Sequence, residues 1–343
     1  MAQLTLGMTG LQVEQTGFGA LPIQRISKAE AVKLLRRALD GGMNYFDTAR
    51  AYSDSEEKLG AAFHGMWDQV VIATKIKMNA ETTTAEFWDS LHTSLRELQT
   101  DCVDVLQFHM PPYCPRPGDK MGLYDAMLEA RQQGKLRHIG ITCHRMDVAR
   151  EAVASGLYEV LMYPFNYLST PEEIRIVEEC AAKNIGFVAM KGLSGGLLRN
   201  AAAAAAWMAR TPHVLPIWGI QHDWELEQFL SFIPTPPAMT PELEEVIAQD
   251  RAQLQGDFCR ACGYCMPCPQ GIEINTCARA VLLMRRSPAR ELWTPEGEAK
   301  MEKITTCLEC GQCASRCPYG LDTPALLRKN YREYREIMQR GHL

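Results

Sequence analysis

The sequence predicts an α/β protein in which a (β/α)8 TIM barrel is followed by a small, mainly α-helical domain. Short runs rich in β-branched residues alternate with helical patterns through about the first 230 residues, and eight such units suit a barrel whose usual size is about 250 residues. A proline-rich stretch, Ile233–Pro241, then ends the alternation. Proline removes a backbone donor and fixes φ, so this stretch cannot be a regular helix or an inner strand and indicates a domain boundary.

The elements of the predicted barrel follow one another in regular order. The strands are expected near Thr16–Leu21 and at Met43–Asp47, Val70–Lys75, Val103–Phe108, His138–Ile141, Glu159–Tyr163, Gly186–Met190 and Val214–Ile217. The helices between them include Lys28–Asp40, Glu56–Phe63, Thr84–Leu98, Met121–Gln133, Pro171–Lys183 and the alanine tract Ala201–Ala206. Gly41 and Gly134 are expected to end two of these helices. A doubly wound sheet is the rival fold, but no G-x-G-x-x-G motif follows the first strand.

Composition limits the partners and the location of the protein. We expect a barrel domain over residues 1–235, a linker helix over 236–256 and a cysteine-rich domain over 257–343. The net charge of −5 argues against a nucleic-acid partner. No apolar run reaches the ~20 residues of a membrane-spanning helix, and the first ten residues do not resemble a signal peptide. A cytoplasmic location without a membrane partner is therefore expected.

Two cysteine-rich runs hold eight of the 13 cysteines. The runs are Cys259, Cys262, Cys265 and Cys268, and Cys307, Cys310, Cys313 and Cys317. Both repeat C-x2-C-x2-C and end in Cys-Pro, which is the spacing that binds iron–sulfur clusters in two-cluster ferredoxins. Structural zinc also uses C-x2-C pairs, but the third cysteine and the Cys-Pro end favour iron–sulfur. Disulfides are the least favoured alternative because cytosolic thiols stay reduced. The runs predict two [4Fe–4S] clusters that transfer single electrons.

The ligand sets are expected to cross between the two runs. By the ferredoxin pattern, Cys317 joins the first three cysteines of the first run, and Cys268 joins the first three of the second. The first run departs from the pattern because two residues, rather than three, separate Cys265 from Cys268. Cys277 is therefore an alternative eighth ligand, although Pro269 after Cys268 favours Cys268.

Polar residues follow three neighbouring strands at the end where a barrel carries its chemistry. Asp47 ends the second strand, Lys75 ends the third and His109 follows the fourth, while Tyr52 lies in the loop after Asp47. A neighbouring ammonium lowers the pKa of a tyrosine, which is ordinarily near ~10, and a carboxylate keeps that ammonium charged. Each residue alone has an ordinary structural role. Together they suit proton transfer to a carbonyl oxygen.

The sequence around these positions resembles the aldo-keto reductase family. NYFDTARAYS at 44–53 is similar to the family signature, and IATK at 72–75 and DVLQFH at 104–109 match the next two segments. The resemblance spans roughly residues 16–232. It implies a (β/α)8 barrel with Asp47, Tyr52, Lys75 and His109 as the catalytic tetrad and Tyr52 as proton donor. With its ferredoxin-like end, the chain resembles the iron–sulfur-bearing branch of that family.

The same resemblance implies NAD(P)H as cofactor. A flavin is the less favoured choice and, like a substrate able to hold an unpaired electron, would convert between two-electron and one-electron transfer. The corresponding contact positions are Thr142, Lys191, Gly192, Ser194, Gly195 and Gln221. Thr142 stands where the family has a Ser-Asn pair, and Lys191 replaces an aromatic residue that stacks on the nicotinamide. The acidic stretch after the last strand disfavours the 2′-phosphate of NADP. The glycine-rich segment could leave backbone N–H groups facing a pyrophosphate at a helix start, or it could be a plain turn into the next helix.

The two halves pose one functional question, because a nicotinamide passes two electrons as hydride while each cluster passes one. The favoured hypothesis is an oxidoreductase that binds a small carbonyl or hydroxyl substrate in the barrel and exchanges single electrons with a carrier such as a ferredoxin or flavodoxin. An NAD(P)H-dependent carbonyl reductase with structural clusters is the second hypothesis. A redox-sensing or electron-transfer subunit without barrel catalysis is the third.

Overall fold

The computed structural model describes residues 3–254, 258–286 and 289–340. The chain falls into two compact units. The first unit comprises Met1–Gly192 and Ala201–Thr240, and the second comprises Leu193–Asn200 and Pro241–Leu343. The segment Leu193–Asn200, called here the 193–200 segment, thus belongs with the cysteine-rich unit although it lies between two barrel elements in the chain. The boundaries expected at residues 235 and 257 stay a prediction.

The first unit is a closed parallel barrel with a separate hairpin. Its strands are β1 (Gln3–Thr5), β2 (Gln12–Glu14), β3 (Gly17–Gly19), β4 (Tyr45–Asp47), β5 (Val71–Lys77), β6 (Val103–His109), β7 (Leu136–Thr142), β8 (Val160–Pro164), β9 (Gly186–Met190) and β10 (Val214–Gly219). The barrel runs from β3 to β10 in chain order and closes by pairing β10 with β3. The (β/α)8 fold predicted from the sequence is confirmed.

Helices follow the barrel strands and begin where the sequence supplies capping residues. They are α1 (Lys28–Asp40), α2 (Ser55–Phe63), α3 (Thr84–Leu98), α4 (Leu123–Gln132), α5 (Met146–Ser155), α6 (Pro171–Ala182), α7 (Ala201–Met208) and α8 (Asp223–Leu230). Ser27, Thr83 and Thr170 each form a capping box with a glutamate three residues later. Gly134 has the left-handed φ expected after α4, whereas Gly42, rather than Gly41, has it after α1.

The hairpin of β1 and β2 covers the amino-terminal end of the barrel, and no pattern in the sequence predicts it. Leu6 and Val13 are fully buried and pack against first residues of barrel strands, such as Tyr45 and Val71. The backbone N–H of Met8 donates to the carbonyl of Asn184, just before β9, at 2.6 Å. This end of the barrel is therefore closed, and the carboxyl ends of the strands are left for a site.

The second unit is built mainly from helices around its own apolar core. They are α9 (Pro241–Gln253), α10 (Ile274–Cys277), α11 (Ala280–Arg286), α12 (Pro295–Glu302), α13 (Gln312–Ser315) and α14 (Thr323–Arg340). On α14, Leu327, Tyr334 and Ile337 are buried among residues of the shorter helices. The side-chain amide of buried Asn330 is satisfied by hydrogen bonds, because its oxygen accepts from Val281 N and its nitrogen donates to Ala278 O. In the described ranges no helix combines the length and the apolar character needed to cross a membrane.

Candidate active site

The register of the parallel strands brings the predicted catalytic positions to one edge of the barrel. Asp47 lies beside Ala73 of β5, and His109 lies between Lys77 of β5 and Thr142 of β7. Lys75 lies two residues before the end of β5 and therefore projects to the same side of the sheet as Lys77. The carboxyl ends of β4 to β7 thus carry these side chains as neighbours.

Asp47 and Lys75 form a buried ion pair. The Lys75 ammonium donates to Asp47 Oδ1 at 2.5 Å and to the Thr48 carbonyl at 2.7 Å, and both charged side chains are almost fully buried. Burial raises the pKa of Asp47, while Lys75 and Gln107 oppose that rise. Burial lowers the pKa of Lys75, but Asp47 and Tyr52 outweigh it, so the pKa of Lys75 is raised overall. Lys75 therefore stays protonated at neutral pH.

Tyr52 lies over this pair and is partly exposed. The Lys75 ammonium is 5.0 Å from the centroid of the Tyr52 ring, and the ring meets the His109 imidazole edge-on with centroids 5.8 Å apart. Burial raises the pKa of Tyr52, and the charge of Lys75 lowers it by less. Lys75 acts in the direction expected from the sequence, but burial has the larger effect. The hydroxyl therefore remains protonated at neutral pH.

His109 is a neutral imidazole at the edge of the same site. Burial lowers its pKa to about 3, with smaller contributions from the charges of Lys75 and Lys77. Its Nδ1 is buried and has no hydrogen-bond partner among the described residues. A neutral ring beside Tyr52 can donate to or accept from a substrate oxygen without carrying charge itself.

The shift at His109 predicts a loss of stability in acid. An unfolded histidine titrates near ~6.5, so between that pH and about 3 the unfolded chain binds a proton that the folded chain does not. Stability contributed by the neutral ring is therefore present above about pH 6.5 and lost as the pH falls toward 3. A His109→Gln variant should lose less thermal stability between pH 7 and pH 5 than the parent. Equal losses in thermal unfolding would contradict the buried, neutral assignment.

Two polar groups that the sequence analysis missed support the site. Gln107 is fully buried, and its amide lies 3.4 Å from Asp47 Oδ2. The sequence contains a signal for it, because Gln107 lies two residues before His109 on β6 and so faces the same side of the sheet as His109. Glu56 is buried as well and accepts from Thr74 and from Arg50, which also donates to Glu97 at 2.6 Å. These contacts hold the loop that carries Tyr52.

The predicted nucleotide contacts fall in different environments. Thr142 is buried at the end of β7, and Lys191 follows β9 with a left-handed φ of 59°. Gly192 packs so closely on Trp218 that a Cβ would lie 2.5 Å from the ring. The Gln221 N–H, before α8, donates to the Glu225 carboxylate at 2.7 Å. Ser194 and Gly195 belong to the 193–200 segment and therefore to the second unit.

The second unit contains two hollows lined by the predicted cluster ligands. One is lined by Cys259, Cys262, Cys265 and Cys317. The other is lined by Cys268, Cys307, Cys310 and Cys313, with Cys265 at its border. Within the described ranges, no three histidine, cysteine or acidic side chains converge tightly enough for a single metal ion. Two sets of four sulfur donors in largely apolar hollows fit two [4Fe–4S] clusters, with the crossed ligand sets that the spacing predicted.

Cys277 has a different environment from Cys268. Its side chain is fully buried in the core of the second unit, its thiol donates to the Lys300 carbonyl at 3.5 Å, and burial raises its pKa to about 12. It lines neither hollow, whereas Cys268 lines the second. This supports Cys268 as the eighth ligand.

Iron analysis of two alanine variants separates these cysteines. Anaerobically purified Cys268→Ala should lose up to about four iron atoms per chain, because one cluster lacks a ligand. Cys277→Ala should keep the iron of the parent and lose only a little stability from the missing buried sulfur. Iron retained in Cys268→Ala and lost from Cys277→Ala would reverse the assignment.

Both parts of the chain are similar to known protein families. A model of the aldo/keto reductase family matches residues 4–216, and a model of a 4Fe-4S dicluster domain matches residues 258–322. The L-galactose dehydrogenase of Arabidopsis thaliana is 28% identical over 209 residues, and the D-threo-aldose 1-dehydrogenase of a Pseudomonas species is 27% identical over 225 residues. The matches cover 56% and 55% of this chain and 66% and 68% of those proteins, so the chain spans about two thirds of their length.

The barrel also resembles solved structures. An aldo-keto reductase from Klebsiella pneumoniae in complex with NADPH superposes with a TM-score of 0.62 at 22% identity, covering 73% of this chain and 96% of that one. This likeness supports the fold.

Proposed function

Because the chain belongs to the aldo/keto reductase family, a family of oxidoreductases, and carries a 4Fe-4S dicluster domain, we propose that it interconverts a small carbonyl compound and its alcohol in the barrel while single electrons pass through two [4Fe–4S] clusters. The observation that carries the barrel half of this proposal is the buried Lys75 ammonium, 5.0 Å from the Tyr52 ring centroid and fixed by Asp47.

Tyr52 is the proposed proton donor. Its hydroxyl is protonated at neutral pH because burial raises its pKa, yet it lies beside an ammonium that stabilises the tyrosinate formed when the proton leaves. Asp47 keeps Lys75 charged and in place. Neutral His109, edge-on to the Tyr52 ring, is suited to hold the substrate oxygen in position.

Reduction of a carbonyl to an alcohol consumes two electrons and two protons. Tyr52 supplies the proton that ends on oxygen, and a proton from solvent ends on carbon. Because the electrons arrive singly, the proposed substrate is a carbonyl compound that can hold an unpaired electron between the two transfers. Bound [4Fe–4S] clusters would supply the electrons one at a time. The chain's own part is to hold them with Cys259, Cys262, Cys265 and Cys317 in one hollow and with Cys268, Cys307, Cys310 and Cys313 in the other. An external ferredoxin or flavodoxin is the proposed electron carrier, and exposed Cys310 gives the second hollow an opening to solvent.

A pair of cysteine substitutions tests whether the clusters take part. Cys262→Ala and Cys310→Ala together should remove both clusters, and the circular dichroism of the barrel should be retained. With reduced ferredoxin as electron donor and benzaldehyde as the probe compound, the parent should form the alcohol and the double variant should form none. A folded, cluster-free variant with full activity would refute the electron-transfer part of the proposal.

A reductase that uses NAD(P)H, with clusters of structural importance only, is the second candidate. The family assignment and the NADPH-bound Klebsiella structure favour it. The Glu225 carboxylate accepts from the N–H groups of Gln221 and His222 at the start of α8, so it places negative charge where the resemblance locates the 2′-phosphate. Under this candidate, fluorescence titration should show NADH binding more tightly than NADPH, and turnover should survive loss of the clusters.

A further inference from the structure

We propose that Arg260, whose guanidinium is held by the rings of Phe258 and Tyr319, shifts electrons toward the cluster of the first hollow by raising the reduction potential of that cluster. The first hollow is the one lined by Cys259, Cys262, Cys265 and Cys317, and the second is the one lined by Cys268, Cys307, Cys310 and Cys313. The inference rests on the proposed clusters but not on any catalytic activity. All of these residues belong to the second unit.

Two aromatic rings hold the Arg260 guanidinium. Its central carbon lies 4.6 Å from the centroid of the Phe258 ring and 4.4 Å from the centroid of the Tyr319 ring. Both distances are within the ~6 Å of a favourable cation–π contact. Phe258 is itself buried, so its ring is fixed by packing. Contact with two rings therefore restricts where the charge of this planar group can lie.

These contacts lie where the two cysteine runs meet. Phe258 directly precedes Cys259 in the chain, and Tyr319 follows Cys317 by two residues. Arg260 and Tyr319 both line the first hollow. The guanidinium thus contacts a ring in the wall of that hollow and joins the two segments that carry the first and the last of its four cysteines.

The two hollows differ in the charge of their walls. Among the described residues that line the first hollow, Arg260 is the one with a basic or acidic side chain. Apart from the cysteines, the described residues that line the second hollow are apolar or uncharged. A positive charge beside a cluster stabilises its reduced form, which carries one more negative charge, and so raises its reduction potential. Arg260 therefore acts on the first hollow and not on the second.

The position of the two hollows gives this difference a consequence for electron transfer. Cys265 and Ile274 line both hollows, so the two sites are neighbours. An electron from the proposed carrier enters at the second hollow, where Cys310 is exposed. When it passes on, the second cluster is oxidised and the first is reduced by one electron, and no bond forms or breaks. The charge of Arg260 favours this transfer.

An anaerobic redox titration of the cluster-loaded protein, followed by EPR, tests the effect of the charge. Arg260→Gln should lower the equilibrium constant for reduction of one cluster about tenfold, the order expected of one partly screened charge, which is about 59 mV for a one-electron couple. The other cluster should be unchanged. Arg316→Gln is the matched control, because Arg316 directly precedes Cys317 but is exposed and lines neither hollow. It should change neither potential.

Two cysteine variants assign the shift to a hollow. Cys310→Ala lacks a ligand of the second hollow, and Cys262→Ala lacks a ligand of the first. Arg260→Gln should lower the remaining potential in the Cys310→Ala background and leave it unchanged in the Cys262→Ala background. An unchanged potential in the first background, or an equal shift in both, would overturn the proposal.

Two further variants separate the charge from the stacking. Arg260→Lys keeps the charge, so the equilibrium constant should stay within about threefold of the parent. A loss in this variant as large as in Arg260→Gln would contradict a role for the charge. Where Arg260→Gln loses iron, Phe258→Leu takes its place, because it removes one of the two rings and should lower the same potential. Unchanged potentials in Phe258→Leu with full iron would then count against the proposal.

An iron count on every sample distinguishes a shifted potential from a lost cluster. The titrations need no substrate, so their outcome does not depend on catalysis in the barrel. A parent protein that binds no iron would refute the proposed clusters themselves, whereas a parent with both clusters and no effect of Arg260→Gln would refute this inference alone.

Discussion

Replacing Tyr52 by phenylalanine should lower the turnover of a carbonyl substrate by roughly 10²–10⁴-fold, the usual contribution of a positioned general acid. The Tyr52 ring lies beside the buried Lys75 ammonium, and phenylalanine keeps the ring contact with His109 while removing the hydroxyl proton. KM should change little, because the loss falls on the transition state. Steady-state kinetics on the cluster-loaded protein measure both parameters.

Tyr124→Phe is the matched control for this substitution. Tyr124 donates to the Leu157 carbonyl at 2.6 Å from helix α4 and takes no part in the site. Its removal should cost about 1 kcal/mol of stability and leave turnover unchanged. Full activity in Tyr52→Phe, with a normal iron content, would remove Tyr52 from the mechanism.

Breaking the Asp47–Lys75 pair should have the largest effect on stability. Lys75→Met leaves the Asp47 carboxylate buried without its counter-charge, which costs roughly 3–5 kcal/mol. For a domain of this size that corresponds to a fall in Tm of roughly 6–20 °C. Turnover should also be lost, because Tyr52 no longer has an ammonium beside it. Thermal unfolding followed by circular dichroism measures the change in stability.

The double variant Asp47→Asn/Lys75→Met separates stability from activity. With neither charge present, the burial penalty disappears and most of the lost Tm should return. Activity should stay absent. A double variant no more stable than Lys75→Met alone would show that the pair is not the unit that stabilises this end of the barrel.

The barrel was predictable from the sequence because its separate local signals all indicate the same alternating strands and helices. β-branched runs, capping boxes such as Ser27 with Glu30, and C-terminal glycines all recur at the spacing of βα units. The strand-end positions of Asp47 and Lys75 follow from that pattern, because parallel strands bring their carboxyl ends to one edge. The spacing of the cysteines predicted an iron–sulfur domain, which the match to a 4Fe-4S dicluster domain bears out, while the assignment of each cysteine to a cluster stays a prediction.

Other features depend on contacts that local pattern does not contain. The hairpin that covers the barrel is two three-residue strands, too short for a periodic signal. The net pKa of Tyr52 depends on burial, which a sequence does not give, so its rise was not foreseen. The glycines after β9 indicated a turn there, as one of two alternatives, and the positive φ angles of Ser194, Gly195 and Gly196 agree with a turn. Its anchoring by Arg279, 84 residues or more away, could be seen only in the structure.

The measurement that tests the central claim most directly is anaerobic stopped-flow mixing of pre-reduced protein with a carbonyl compound that the parent turns over. The absorbance of the [4Fe–4S] clusters at about 400 nm serves as the signal, because it bleaches when the clusters are reduced and returns when they are reoxidised. If barrel and clusters act in one turnover, the absorbance should recover at the rate of product formation in the parent and stay bleached in Tyr52→Phe. Recovery at the same rate in Tyr52→Phe, or product formed while the clusters stay reduced, would contradict it.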